Sequence, residues 1–185
     1  LAGVSKGTLY LYYPSKEDLF KAVVRNKITN IIAQGQALVR EFRGSASQLV
    51  RTLMAMWWQE VGNTPASGIH KIIVSEVRNF PDIAQFYVDE VIVPASALII
   101  EALQRGVASG EFRDVPLQET KVALIAPYMF LATMQHSIGA CPVQGLNLDA
   151  EAILQVHMEL MLRGLSTRGD TSPVTPASCA KKGCS

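Results

Sequence analysis

Charge is scarce in this chain. Only 18% of its 185 residues are charged and 49% are hydrophobic, which leaves more apolar surface than a monomer of this size usually hides and leans toward an oligomer. Cysteine is scarcer still. Cys141, Cys179 and Cys184 are too few and too unevenly placed for a disulfide framework, so a reducing, cytoplasmic location is the natural expectation. The longest uncharged apolar run, residues 122–132, falls far short of the roughly 20 residues that span a bilayer, and no membrane span is expected. The opening has no basic stretch followed by a hydrophobic one, so no export signal is visible. Sustained alternation of period two is missing, which excludes a sheet protein.

The familiar catalytic patterns are missing as well: no nucleophile elbow, no glycine-rich phosphate loop, no dinucleotide fingerprint and no paired-histidine zinc helix. His70, His136 and His157 fall on different predicted helices. His136 with Cys141, or Cys179 with Cys184, lacks the spacing and partners of a structural zinc site. The chain is therefore expected to be no enzyme, and to carry neither metal nor cofactor.

What is present is a helical period almost throughout, and the fold class expected is all-α. Ser15 with Asp18 three residues on is a helix start signal, and the stripe Leu19, Phe20, Val23, Val24, Ile28, Ile31 and Ile32 carries that helix to about Arg40. After a break at 44–47, residues 48–61 read as a second helix and 69–78 as a short third. Pro81 suits the first turn of a long helix reaching Ala108 and stopping at Gly110, with Pro94 predicting a kink near the preceding turn. Residues 117–139 and 150–165 are apolar over most of their circumference, which points to burial against a partner chain. Apolar content collapses after Leu165, and 167–185 reads as a flexible tail.

Net charge is +1, but its distribution is uneven. Residues 1–27 hold five basic against two acidic residues, leaving +3, whereas the remainder holds 12 basic and 14 acidic residues, leaving −2. A basic end on a neutral to acidic body suits a protein whose first element alone meets phosphates; a solvated N-terminal helix would look the same on charge alone. Within that end, Gly3 permits the left-handed turn that closes a preceding helix, Val4 plugs the angle between helices, and Ser5 can cap the next one. Pro14 halts that helix after about two turns. Leu9 and Tyr13 share its inner face, leaving Lys6, Thr8, Tyr10 and Tyr12 outward. Lysine, threonine and tyrosine near a helix N-terminus suit phosphate oxygens and base edges in a major groove, although a plain helix hairpin with surface tyrosines would share the pattern.

The run Ala2-Gly3-Val4-Ser5-Lys6-Gly7-Thr8-Leu9-Tyr10, followed by Tyr12, Tyr13, Pro14, Ser15, Lys16 and Leu19, closely resembles the signature of the tetracycline-repressor (TetR/AcrR) family of transcriptional regulators. The resemblance implies a truncated helix-turn-helix element followed by a helical ligand-binding and dimerisation domain. It places Lys6, Thr8 and Tyr10 toward the groove, Tyr12 and Lys16 on phosphates, Gly7 at a close backbone approach, and Ser5 near a phosphate. In that family a first helix and nearly all of a second would precede Leu1, so roughly 30 to 45 further residues are expected there. The looser likeness of 75–82, of 105–112 and of the two closing helices extends the reading to about Leu165. On this basis 1–40 is the C-terminal part of the DNA-binding domain with its connecting helix, and 41–166 the effector-binding and dimerisation domain. Its partners would be double-stranded operator DNA, a small-molecule effector and a second copy docked through helices 117–139 and 150–165.

An effector cavity is expected from the aromatic and thioether side chains of the larger domain. Trp57, Val61, Ile73, Phe86, Tyr128 and Met129 are its candidate lining, and His70 or Glu60 its candidate polar anchor. The effector would be largely apolar, aromatic or lipid-like. The function implied is a ligand-responsive regulator, a repressor released from its operator by that effector; the alternative is a small-molecule binding or sequestering protein that does not act on DNA.

Overall fold

The computed structural model describes residues 12–76, 80–135 and 149–167. Among these the regular structure is helical, apart from one isolated antiparallel bridge between Phe112 and Ser166. Helix α1 is Lys16–Glu41. Ser15 starts it: its hydroxyl accepts from the Asp18 backbone N–H at 3.0 Å and donates to the Asp18 carboxylate at 2.8 Å. Glu17 and Asp18 in the first turn and Arg40 in the last complement the helix dipole. Helix α2, Ala46–Trp57, opens with a capping box that the sequence reading placed inside a break.

That capping box is part of a complete accounting. The first four N–H groups of a helix lack intrahelical acceptors. Here Ser45 N–H reaches Gln48 Oε1 at 3.2 Å, Gln48 N–H reaches Ser45 Oγ at 3.1 Å, and the Glu111 carboxylate takes the other two, from Ala46 at 2.7 Å and Ser47 at 2.9 Å. The Ser47 hydroxyl also donates to Glu111. Glu111 arrives there because Gly110, at φ +72°, reverses the chain after α5 in a conformation open to glycine. Phe112 then folds back with its ring against Gly106, where a methyl group would overlap it. The C-terminal end of the last helix joins the same corner: Arg113 N–H donates to the Leu165 carbonyl at 2.8 Å and Thr167 N–H to the Glu111 carbonyl at 3.0 Å. Thr167, the first residue of the expected tail, is thus held in place by backbone hydrogen bonds that composition cannot foretell.

Helix α3 is Gly68–Glu76, after a tight turn at Pro65–Ser67. Helix α4, Pro81–Tyr87, passes through a π-helical turn at Val88–Ile92 into α5, Val93–Ala108. Pro94 accounts for the widened turn: it has no N–H, and its ring would strike the Glu90 carbonyl in a regular helix. A second π-helical turn, Trp58–Gly62, extends α2, and no sequence signal foretold it. A side chain at Gly62 would enter the rings of Trp58 and Trp57, so glycine lets that turn close. Helix α6, Leu117–Gln135, contains Pro127, and α7 is Ala150–Leu165. Residues 136–139, assigned to α6 from sequence, lie outside the described residues.

The rod from Pro81 to Ala108 is 28 residues long and apolar enough, by length and composition, to cross a bilayer. A search for uncharged runs overlooks it because Asp89, Glu90 and Glu101 interrupt it. Here it runs between α1, α2 and α6. Two cores result. The larger joins Val39, α2, α5, Phe112, α6 and α7 around Ala102, Leu103 and Leu124, each 0% exposed. The smaller joins α1, α3 and α4 through Val24, Ile28, Val61, Ile69, Ile73, Ile83, Phe86 and Tyr87.

Because two helix-start donors depend on Glu111, Glu111→Ala should destabilise the fold by about 1–2 kcal/mol. A lower urea midpoint at unchanged m-value is the expected record.

Candidate functional site

The two cores do not meet flush. Between them lies a cavity of about 300 Å³, with further open space toward its mouth. Helix α1 supplies Ile28, Ile31 and Ile32; α2 and its widened turn supply Leu53, Met54, Met56, Trp57 and Val61. Ser67 comes from the turn before α3 and His70 from the start of α3, Val91 and Ile92 from the π-helical turn that Pro94 imposes, and Ile125, Met129 and Ala132 from α6. Both widened turns therefore line the cavity, in keeping with the tendency of such turns to occur where a helix wall must open.

Of the candidates read from sequence, Trp57, Val61, His70 and Met129 line this cavity, and the other four are placed elsewhere. Glu60 is exposed on the turn after α2. Ile73 is buried within the smaller core. Phe86 is buried beneath the cations of Lys21 and Arg25, 5.7 and 5.0 Å from its ring centroid. Tyr128 stands behind the wall, edge-on to Trp57 at 6.3 Å and to Trp58 at 6.2 Å. On its other side, at 6.2 Å, is His157, whose Nε2 lies 3.0 Å from the Leu124 carbonyl. Helical period gives the inward face of each element, but not whether the neighbour across it is a side chain or a void. The isoleucines of α1 were legible as a core stripe, and Pro94 marked the turn beside Val91 and Ile92; Ser67 and Ser96 carried no signal.

Burial pushes the Tyr87 phenol up to about 12, keeping it neutral. It lowers the His70 imidazole below its ordinary range. The Nδ1 atom of His70 is buried without a hydrogen-bond partner, as is Nε1 of Trp58.

Tyr12 is 76% exposed and Lys16 is exposed at the first turn of α1. The remaining candidate DNA contacts, Ser5, Lys6, Gly7, Thr8 and Tyr10, lie outside the described residues. Further along α1, the Arg25 guanidinium grips the Glu90 carboxylate with both Nε, at 2.9 Å to Oε2, and Nη2. Those hydrogen bonds raise the Arg25 pKa and lower that of Glu90. Since Glu90 sits in the turn that also carries Val91 and Ile92, α1 is fastened to the cavity wall from the outer side.

Among the described residues no three histidine, cysteine, aspartate or glutamate side chains gather to hold a metal. The pairs His136 with Cys141 and Cys179 with Cys184 lie outside the described residues.

Among the described residues the protein is an all-helical body with an apolar chamber against its first long helix. A family model of the bacterial regulatory proteins of the tetR family matches residues 1–23. The fold is shared with the transcriptional regulator FadR from Bacillus subtilis in complex with stearoyl-CoA, at a TM-score of 0.66 and 18% identity over 89% of this chain and 84% of that one. A protein described as a TetR-family transcriptional regulator from Mesorhizobium loti MAFF303099 gives 0.61 and 17% over 89% of this chain and 82% of that one. No curated protein matches the sequence. The first 23 residues thus match the tetR family model, and the fold of the rest is that of these regulators.

The half-buried His70, its pKa lowered by that burial, carries a pH consequence. The unfolded imidazole takes up a proton at about pH 6.5, whereas the folded site resists it, so stability is full above that pH and falls as the solution is acidified through it. Denaturant melts between pH 7.5 and 5 should show this fall, and His70→Leu should flatten it.

Proposed function

We propose that this protein is a ligand-responsive DNA-binding regulator, a repressor that holds its operator as a homodimer and releases it when a small, largely apolar molecule fills the cavity between the two cores. The observation that carries the reading is the double duty of α1. Its first turn presents Lys16 next to the family signature, and one helical turn after another along the same rod leads to Ile28, Ile31 and Ile32 in the cavity wall. A helix of 26 residues is rigid over roughly 39 Å, so a ligand that shifts those isoleucines tilts the end that bears Lys16. Binding and release are then linked by differential contact in two poses of one helix. The Arg25–Glu90 pair helps set the unliganded pose.

Stearoyl-CoA in the FadR structure supports a long aliphatic group as a ligand of this fold, and the aliphatic lining found here suits one. The outer faces of α6 and α7 support the dimer: Val122 is 60%, Phe130 58% and Leu160 55% exposed, costly positions for a free surface. Residues 1–40 would then be the DNA-binding part with its connecting helix, and 41–166 the effector-binding and dimerisation part, in a cytoplasmic protein.

Two measurements test this. In mobility-shift titrations against the upstream promoter, Tyr12→Ala and Lys16→Ala should weaken binding to every sequence alike, and Lys16→Ala should lower the log–log salt slope by about 1. Absence of any retarded band at low salt with the whole protein would overturn the DNA-binding reading. For the dimer, Leu160→Glu should halve the mass seen by sedimentation while leaving the helical circular dichroism unchanged; an unaltered mass would place the interface elsewhere.

A further inference from the structure

Helix α1 carries a glycine where its inner stripe of isoleucines should continue. Ile28, Ile31 and Ile32 line the cavity, and the next residue on that face is Gly35, buried in the interior of a 26-residue helix. Glycine inside a helix is a less stable choice than alanine, so a close neighbour is the reason to look for. That neighbour is found where α5 and α2 come up to α1. A Cβ at position 35 would stand 2.6 Å from Leu98 Cδ1 and 3.3 Å from Met56 Cε. The first distance is far inside ordinary contact.

Both of those atoms are the free ends of flexible side chains, so the ends would give way before the backbone did. Leu98 belongs to the larger core and Met56 packs against it. That core holds Ala102 and Leu103 at 0% exposure and has no room for an extra methyl group. Leu98 and Met56 also line the cavity, which is open space already at their tips. Gly35 itself does not line it. Resting on the reading of this cavity as the effector site, we infer that Gly35 is a specificity-determining residue: by letting Leu98 and Met56 lie back against α1, it sets the longest apolar chain that the cavity accepts. Each methylene group gains affinity while there is room for it, and the first one too many must stay in water or strain a packed wall. A methyl group at position 35 pushes about its own volume into the cavity, which is about one carbon of ligand.

The test uses the whole protein and its own fluorescence, since Trp57 lines the cavity. The probes are the straight-chain 1-alkanols from hexanol to dodecanol. With the unaltered protein, affinity should rise about fourfold for each added carbon and then level off. Gly35→Ala should bring the levelling about one carbon earlier, leaving shorter chains as they were and weakening longer ones by about fourfold. Leu98→Val, which trims the same wall by one carbon, should move it about one carbon later, and the two changes together should return it to its original place. An equal loss at every chain length in Gly35→Ala, the mark of a merely structural role, would overturn the inference, and so would an unmoved levelling point. Loss of the helical circular dichroism in Gly35→Ala would overturn it too, since the side chains would then have failed to yield. In each of those cases alkanol binding by the unaltered protein leaves the cavity standing as an effector site. If no alkanol moves its fluorescence or melting temperature, the effector reading itself falls and takes the inference with it.

Discussion

Helix α1 is packed on one side only, and everything else in the molecule depends on how that side is held. Val24 and Ile28 bury themselves against α3 and α4, and Gly35 and Val39 continue the seam to α5 and α2. Between the two contacts the helix passes over empty space. A methyl group at Gly35 would press into the Leu98 side chain, so the close approach at that end is firm. At the other end Val24 and Ile28 pack into the smaller core, and a salt bridge and two cations over the buried Phe86 ring fasten the helix from outside.

The fold contrasts a fully satisfied corner with an unsatisfied centre. Where α2 begins, α5 ends and α7 ends, every helix-start donor of α2 finds an acceptor, and a glutamate from a loop provides two of them. In the centre, Trp58 Nε1 and His70 Nδ1 stay unpaired, and two helices widen by one residue per turn. Satisfied backbone and close packing make the corner stiff. Voids and bare polar atoms cost stability. This separation lets the protein be stable at its base and adjustable in its middle.

Much of this was legible beforehand. The helix starting at Ser15, the last helix over 150–165, the stop at Gly110 and the distortion before Pro94 all rest on local chemistry: a side-chain oxygen that reaches its own backbone, a left-handed glycine, a missing N–H. The signature around Lys6 to Lys16 rests on a fixed local order of residues and is independent of what the body does. Other features had no local cause. Nothing near Glu111 indicates that it caps a helix 64 residues away, and Gly62 is one of 13 glycines until two tryptophan rings are seen against it. Phe86 and Tyr128 have the composition of ligand contacts, yet cations cover one and tryptophans the other.

By itself, then, the sequence determined the helices, most of their ends, the apolar face of each and the family signature, because hydrogen bonds and side-chain spacing within a few residues decide them. Which apolar faces close on one another and which are left apart was decided only in the tertiary structure. Period places a side chain on the inside; whether it meets a partner or a void depends on the volumes contributed by α1, α2, α3, α5 and α6 together. Trp57 and Tyr128, equal as sequence candidates, ended on opposite sides of that wall.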